Sequence, residues 1–358
     1  GVKRTVYDSN DLTHMGIFLD ACQAKKTSHT PIWLNRQAGR YMPEYHALKG
    51  STKSLDFFKT PELAAKATLD AQRILGVDAA IMFADLLPVL EPMGMKLDYL
   101  EKIGPVFENP IRTNKQVDAL SVVPAEEGVG YIRDTISGIL SDLPREVDLI
   151  GFAGAPFTLA SYAIEGRGSR NYVHVKKFMY GNPTGWKRLM DKLVETISNY
   201  VRLQYKSGVQ AVQIFDSWIG CLSLTDYEQY VEPWTTNLMR RIHSQCGSDL
   251  PVIYFGTGNS HLVDVMYKTG PDFLALDWRT PLMPTWDRLG MPAIQGNLDP
   301  VILFAEPEVI KKKAKHILDQ VNGRSGHIFN LGHGILPNTS PDNVKMLVDF
   351  VHDHDQSL

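Results

Sequence analysis

A repeated alternation of short apolar runs with helical patterns most constrains what this chain can fold into. Each run ends at polar or glycine residues and is usually followed by an amphipathic segment, as in parallel strands joined by crossover helices. Eight runs fit, at residues 31–34, 79–83, 148–152, 211–215, 252–255, 273–276, 293–295 and 327–331. Eight is the strand number of a (β/α)8 barrel, and a doubly wound open sheet is the alternative.

The helical patterns between these runs complete the architecture. Several begin with proline, which is favoured in the first helical turn because its missing N–H would have no partner there. They cover residues 61–75, 126–141, 183–206, 225–245, 261–269, 307–321 and 341–352. A further amphipathic helix is predicted over residues 9–25, before the first run.

No low-complexity linker or internal repeat divides the chain, which predicts one domain over residues 1–358. The predicted fold class is α/β: a single (β/α)8 TIM barrel with an N-terminal helix and longer loops at the C-terminal face of the strands. Residues 88–123 and 164–175 are irregular. They are candidate lids or interface loops, since long loops in compact domains usually carry function.

Composition excludes several classes of partner. A net charge of −3 argues against nonspecific nucleic-acid binding, which needs a broad basic surface. No run of about 18 apolar residues is present to cross a membrane. Residues 1–12 lack the apolar core of a secretory signal, so a cytoplasmic location is expected, with a plastid left open if a transit peptide was removed. Neither H-E-x-x-H nor a Cys/His cluster at zinc spacing occurs, so no metal site is predicted.

Arg36 and Arg40 stand four residues apart directly after the first apolar run, with Gly39 between them. Arginine stays charged at any working pH and presents a planar fork of donors that matches a carboxylate. Gly39 lets the backbone approach whatever these side chains bind. The pair suggests a polyanionic ligand, and two solvated surface arginines are the structural alternative.

Polar side chains follow most of the other strands, where a barrel places its active site. They are Asp85, Tyr162, Asp216, Ser217, Asp277, Arg279, Asn297, Asp299 and His333. Asp85 follows a segment expected to be buried, so an ionised carboxylate there needs a hydrogen bond or a cation. A helix-capping aspartate is the alternative.

The remaining candidates also have two interpretations. His333 lies between two glycines, which suits a loop that closes on a ligand, but it could equally be a structural histidine. The phenol of Tyr162 suits either a site or the core. Ser217 is interpreted as a binding hydroxyl, because no nucleophile elbow surrounds it and no triad order emerges.

Seven motifs occur in a fixed order along the chain. The most specific is RQAGRYMPEY at residues 36–45. The others are FADLL at 83–87, GFAGAPFTLASY at 151–162, FDSWIG at 215–220, LDW at 276–278, QGNLDP at 295–300 and NLGHGILP at 330–337. From about Asp11 to His352, the chain resembles the uroporphyrinogen decarboxylase family.

This resemblance implies a single (β/α)8 barrel, usually a homodimer, that needs neither metal nor organic cofactor. Its small-molecule substrate would be uroporphyrinogen III, whose four acetate side chains lose their carboxyl groups to give coproporphyrinogen III. Catalysis would fall to Asp85 and Arg36. The matching motifs imply a substrate-binding set of Arg36, Gln37, Ala38, Gly39, Arg40, Asp85, Tyr162, Ser217 and His333.

Three positions depart from the family pattern. Asn35 stands where a hydrophobic residue is usual, and Ala84 stands where serine is common. Residues 254–260, YFGTGNS, lack a lysine often found there. None of these changes removes a catalytic candidate.

The chemistry expected from this resemblance is protonation of a pyrrole carbon, with the Asp85 carboxylate stabilising the resulting cation. The proton donor is open between Arg36, His333 and a water molecule. Two alternatives belong to other classes: a corrinoid-linked methyltransferase of related fold, which would need a zinc-thiolate centre, and a porphyrinogen carrier without turnover.

Overall fold

The computed structural model describes residues 16–354. Of the predicted helix over residues 9–25, residues 9–15 lie outside this range. The rest forms α1 (Ile17–Cys22), which ends three residues before the predicted boundary. The strands are β1 (Ala79–Ile81), β2 (Leu97–Leu100), β3 (Gly104–Phe107), β4 (Asp148–Gly154), β5 (Ala211–Asp216), β6 (Val252–Gly256), β7 (Phe273–Ala275), β8 (Ile294–Gln295) and β9 (His327–Ile328).

Seven of the eight predicted runs are confirmed as strands of one curled parallel sheet. Its hydrogen-bonded order is β1-β4-β5-β6-β7-β8-β9. Neighbours in this sheet follow one another along the chain, whereas a doubly wound sheet reverses its strand order at a switch point. All seven strands therefore present their C-terminal ends at one face of an α/β fold.

The eighth run, residues 31–34, forms a single bridge, from Ile32 to Phe329, rather than a strand. Pro31 has no N–H to donate, which shortens the ladder at this run. Its backbone still bonds both edge strands of the sheet: Phe329 N donates to Pro31 O at 2.8 Å, and Asp78 N donates to Ile32 O at 2.9 Å. The run therefore lies between β9 and β1.

A chain of buried amides crosses the interior of the sheet. Trp33 Nε1 donates to Gln295 Oε1, Gln295 Nε2 to Gln213 Oε1, and Gln213 Nε2 to Asn35 Oδ1, at 2.9, 2.9 and 3.2 Å. These four side chains are at most 3% exposed. Because each polar group has a partner, the network fixes the first run against β8 and β5 without leaving buried donors unsatisfied.

The helices surround this sheet. They are α1, α2 (Pro43–Lys49), α3 (Ser54–Lys59), α4 (Pro61–Leu75), α5 (Asn114–Asp118), α6 (Ala125–Gly128), α7 (Tyr131–Asp142), α8 (Pro156–Glu165), α9 (Val173–Gly181), α10 (Pro183–Ser207), α11 (Leu224–Tyr230), α12 (Glu232–Cys246), α13 (Val263–Lys268), α14 (Leu282–Leu289), α15 (Pro307–Val321) and α16 (Pro341–Asp353). Short 3-10 helices occupy Pro88–Leu90, Ile219–Cys221, Ser260–Leu262 and Pro300–Phe304. Within residues 16–354, no helix combines the length and apolar character needed to cross a membrane.

The predictions for α4 and α15 agree with the structure at both ends. The predicted helix 225–245 is instead divided at Val231, because Pro233 lies in the first turn of α12 and starts a new helix. The predicted helix 126–141 is likewise divided, into α6 and α7. Helices α2, α3, α5, α9 and α14 were not predicted.

The irregular stretch 88–123 contains structure of its own. Strands β2 and β3 pair antiparallel, with Tyr99 opposite Pro105. A capping box follows, in which Thr113 and Gln116 bond each other's backbone at the start of α5. This hairpin carries a side chain into the candidate site described below.

Candidate functional site

The predicted site residues meet at the C-terminal face of the sheet. Arg36 and Arg40 follow the first run, Asp85 follows β1, and Tyr162 lies on α8, which follows β4. Ser217 follows β5, and His333 follows β9. Parallel strands bring these distant parts of the sequence to one face, which is where barrel enzymes carry their chemistry.

Asp85 is a half-buried carboxylate with two hydrogen bonds. Leu86 N donates to Oδ1 at 2.8 Å, and the Tyr99 hydroxyl donates to Oδ2. Burial raises the pKa of Asp85, and these hydrogen bonds together with the charge on Arg36 oppose that rise. On its inner side the carboxylate borders a small cavity lined by Phe152, Leu159, Ile197 and Tyr200. Asp85 is thus a carboxyl group held in place by two hydrogen bonds beside an apolar cavity.

Tyr99 was not among the predicted site residues. It lies on β2, and its ring contacts Phe58 of α3 with the centroids 5.4 Å apart. Burial and the negative charge of Asp85 raise the pKa of Tyr99, so its hydroxyl remains a hydrogen-bond donor. The sequence indicated a role for Tyr99 only through its position in residues 88–123, a candidate lid or interface loop. The contact with Asp85 could not be predicted, because it depends on how the hairpin packs in the folded protein.

Tyr99→Phe should lower kcat/KM about tenfold at neutral pH, the usual effect of losing a hydrogen bond to a charged group. Without this hydrogen bond the pKa of Asp85 rises, so the acid limb of the pH–rate profile moves to higher pH. Kinetics across the acid range will test this, with Tyr205→Phe as a control far from the site. An unchanged acid limb would show that Tyr99 does not tune Asp85.

Arg36 has a left-handed backbone, with φ of 61°, which directs its side chain along the His333 loop. A Cβ added to Gly334 would lie 2.5 Å from Arg36 Cδ, so only glycine allows this approach. Arg36 and Arg40 are exposed, and within residues 16–354 neither guanidinium hydrogen-bonds or ion-pairs with another side chain. Both cations are therefore available to an anionic ligand.

Gln37 has a structural position within the predicted binding set. It is 1% exposed; its Oε1 accepts from Leu34 N at 3.0 Å and its Nε2 donates to Ala79 O at 3.2 Å. These bonds tie the arginine loop to the start of β1. Ala38 and Gly39 are half-buried beside it, so this part of the loop offers mainly backbone to a ligand.

His333 is partly buried near Arg36. Gly334 N donates to His333 Nδ1 at 2.7 Å, which places the proton of the neutral ring on Nε2. Burial and the nearby charge of Arg36 lower the pKa of His333. Its ring is therefore neutral at neutral pH and can donate one hydrogen bond from Nε2.

Aromatic rings form one wall of the site. The ring of Tyr162 lies over Trp218, with centroids 3.9 Å apart, and Tyr172 meets Trp218 edge-on at 5.2 Å. Burial and the charge of Asp85 raise the pKa of Tyr162 to about 12. Ser217 is half-buried beside this wall, and its carbonyl accepts from Thr257 Oγ1 at 2.7 Å.

Asp216 lies beneath this wall and is fully buried. Thr158 Oγ1 donates to its Oδ1 at 2.6 Å, and Tyr254 OH donates to its Oδ2 at 2.5 Å. Trp218 N in turn donates to Thr158 Oγ1 at 3.3 Å. Asp216 therefore positions the aromatic wall rather than facing the ligand. Burial raises its pKa to about 6, because the loss of solvation outweighs the two hydroxyl hydrogen bonds.

This raised pKa predicts a pH-dependent stability difference between wild type and Asp216→Asn. Between about pH 4 and pH 6 the folded protein retains a proton that the unfolded chain has lost, so the contribution of Asp216 to stability falls as pH rises. The free energy of unfolding of the asparagine variant, relative to that of wild type, should therefore rise by about 3 kcal/mol between about pH 4 and pH 7. Urea unfolding of both proteins across this range will test it. A constant difference would show that Asp216 does not titrate there.

The other polar residues at strand ends make structural contacts. Asp277 is fully buried; its Oδ2 accepts from Gly258 N at 2.8 Å and from Arg279 Nη1 at 2.7 Å. Asn297 Nδ2 donates to the carbonyls of Asp277 and Thr280. Asp299 caps the 3-10 helix Pro300–Phe304. These contacts give Asp277, Asn297 and Asp299 structural roles.

Comparison with known proteins identifies the family of this chain. The sequence model of the family described as uroporphyrinogen decarboxylase (URO-D) matches residues 13–354. The chain belongs to this family. Uroporphyrinogen decarboxylase from Geotalea daltonii is 48% identical over 94% of this chain and 97% of its own length. The enzyme of that name from Koribacter versatilis is 47% identical over 96% of this chain and 97% of its own.

Among solved structures, a methyltransferase from Methanosarcina mazei has the same fold. Its TM-score is 0.77 at 19% identity, and the match covers 93% of this chain and 96% of that one. At this identity the likeness shows the fold alone. Membership of the uroporphyrinogen decarboxylase family does not favour the methyltransferase alternative.

Proposed function

We propose that this chain removes the carboxyl groups of the four acetate side chains of uroporphyrinogen III, giving coproporphyrinogen III and four CO2 in tetrapyrrole biosynthesis. The observation that carries this proposal is the Asp85 carboxylate, which is half-buried, hydrogen-bonded and influenced by the charge of Arg36. Within residues 16–354 the Arg36 guanidinium bonds no other side chain. A fixed anion of this kind suits a reaction that develops positive charge on a pyrrole.

Decarboxylation requires an acceptor for the electron pair of the C–C bond that breaks. Protonation of a pyrrole carbon makes the ring a cationic electron sink; the C–C bond to the carboxylate then breaks, CO2 leaves, and its bonding pair enters the ring system. A proton added to the exocyclic carbon and one lost from the ring restore the pyrrole. In sum, one proton replaces each CO2, and Asp85 stabilises the ring cation between these steps.

Several other residues would bind the substrate or position the binding loop. The substrate carries eight carboxylates, so Arg36 and Arg40 would neutralise part of this charge while one acetate stays free to react. The backbone of Ala38 and Gly39, with Ser217 and the phenol of Tyr162, would bind other parts of the substrate. Gln37 would hold the arginine loop in place.

The protonation state of His333 reduces the number of candidate proton donors. Because burial and Arg36 lower the pKa of His333, its ring is neutral and a poor acid at neutral pH. We therefore assign the Nε2–H of His333 to hydrogen bonding with a substrate carboxylate. Arg36 and a water molecule are the two remaining donors.

We also infer that the sheet closes as a single eight-stranded (β/α)8 domain. The support is the run at residues 31–34, which bonds Phe329 on one side and Asp78 on the other. The amide chain from Trp33 through Gln295 and Gln213 to Asn35 spans the enclosed interior. The family resemblance further implies a homodimer, which sedimentation equilibrium of the purified protein will test.

The decisive experiment is anaerobic incubation of purified protein with uroporphyrinogen III in the presence of a chelator. Products are then oxidised and separated by carboxyl number. We expect seven-, six-, five- and four-carboxyl porphyrins to appear in steps, without added metal or organic cofactor. Unchanged eight-carboxyl material, with folded protein that still binds porphyrinogen, would overturn the proposal and favour a carrier.

A further inference from the structure

Three side chains that are far apart in the sequence converge at the other end of the sheet. They are His29, before the first run; Asp78, directly before β1; and His352, in the last turn of α16. His29 Nε2 lies 3.3 Å from Asp78 Oδ1, and His352 Nε2 lies 2.8 Å from Asp78 Oδ2. One donor atom from each residue falls within a group whose members are all within 4.8 Å of one another.

The surroundings hold these groups in place. Ile32 N donates to Asp78 Oδ2 at 2.8 Å, and Ser28 Oγ lies 3.1 Å from His29 Nδ1, leaving Nε2 directed at the carboxylate. The two imidazole rings meet edge-on, with centroids 4.6 Å apart. Orientation of a histidine through its second ring nitrogen is typical of metal ligands.

The charge and exposure of the cluster also suit a cation. Asp78 offers a carboxylate oxygen and each histidine offers an imidazole nitrogen, which are atoms that coordinate metal cations. The side chains of His29, Asp78 and His352 are 30%, 13% and 24% exposed. An ion could therefore enter from solvent and keep water as a further ligand.

We propose that His29, Asp78 and His352 form a binding site for a divalent transition-metal ion, with zinc as the best match. Two imidazole nitrogens and one carboxylate oxygen are a common zinc set, whereas Mg²⁺ and Ca²⁺ prefer oxygen ligands alone. Ligands about 2.1 Å from a tetrahedral ion lie about 3.4 Å from each other. The distance of 3.3 Å from His29 Nε2 to Asp78 Oδ1 is already near this value. His352 Nε2 lies 2.8 Å from the other carboxylate oxygen, so binding requires the His352 ring and the carboxylate to shift until both contact one ion.

This site is separate from the candidate active site. β1 begins directly after Asp78 and ends four residues before Asp85, so the two carboxylates lie at opposite ends of the sheet. A bound ion would join α16 to the loop that enters the first run. Its role would be to stabilise this junction, and it would not supply the zinc-thiolate centre of a methyltransferase.

Competition for Zn²⁺ against a chromophoric chelator, with metal-free full-length protein at neutral pH, tests the proposal. We expect one equivalent to bind to wild type. His29→Asn and His352→Asn should each weaken binding at least about 100-fold, and Ser28→Ala about tenfold. His316→Asn, a change at an exposed histidine of α15, is the matched control and should bind as wild type does.

Two further readouts keep the test independent of folding defects. Co²⁺ should give ligand-field bands without thiolate-to-cobalt charge transfer, which excludes Cys22, Cys221 and Cys246 as ligands. Zn²⁺ should raise the Tm of wild type but not of folded His352→Asn, as shown by circular dichroism. A thiolate band, equal affinity in the wild type and both ligand variants, or no binding by the wild type would overturn the proposal.

Discussion

Asp85→Asn should lower kcat by about 10²–10³-fold, or about 3–4 kcal/mol of transition-state stabilisation. Asparagine keeps the shape of the side chain and can still accept from Leu86 N, but it carries no charge. The ring cation formed by protonation would then lose its counter-charge at the moment it develops. Anaerobic turnover of uroporphyrinogen III, followed by separation of porphyrins by carboxyl number, measures the effect.

The design distinguishes loss of chemistry from loss of binding. If Asp85 acts mainly on the cation, kcat falls more than affinity for the porphyrinogen, which is measured separately by equilibrium binding. Asp56→Asn, which removes an exposed carboxylate on α3, is the control for charge and should keep the wild-type rate. Wild-type turnover by Asp85→Asn would exclude the charge of Asp85 from the mechanism.

Much of the fold followed from local patterns. The bounds of α4 and α15 and seven parallel strands could be predicted because apolar periodicity and N-terminal prolines are properties of neighbouring residues. The break at Val231 was missed although Pro233 lies two residues after it. A proline within a continuous helical pattern is compatible with the first turn of a new helix, and this possibility was not considered. The β2–β3 hairpin was missed because its strands are short and only partly apolar.

For the site, too, individual residues could be predicted from local sequence, whereas contacts that depend on tertiary packing could not. Arg36 and Asp85 could be singled out, since polar residues after buried runs are visible in sequence. Tyr99 could not be paired with Asp85, because that contact depends on how the hairpin packs against α3. Likewise, His29 and His352 are separated by almost the whole chain, and only the curvature of the sheet brings both to Asp78.

Arg36→Gln should lower kcat/KM about 10²–10³-fold and also move the acid limb of the pH–rate profile to higher pH. The rate should fall because the substitution removes a cation that we propose binds the substrate carboxylates. The limb moves because burial raises the pKa of Asp85 and the Arg36 charge opposes that rise. Without this charge Asp85 takes up a proton at a higher pH, and the protonated carboxyl cannot stabilise a cation.

The same substitution has a second readout that needs no substrate. Burial and Arg36 both lower the pKa of His333, so Arg36→Gln should raise it, which an NMR titration of the His333 ring will measure. Arg36→Lys keeps the charge and should leave both pKa values near wild type while losing about tenfold in kcat/KM, because lysine lacks the planar fork. Arg288→Gln, on the surface of α14, controls for loss of a remote arginine. Full activity in Arg36→Lys would show that charge alone is required, and unmoved titrations in Arg36→Gln would show that Arg36 does not set the electrostatics of this site.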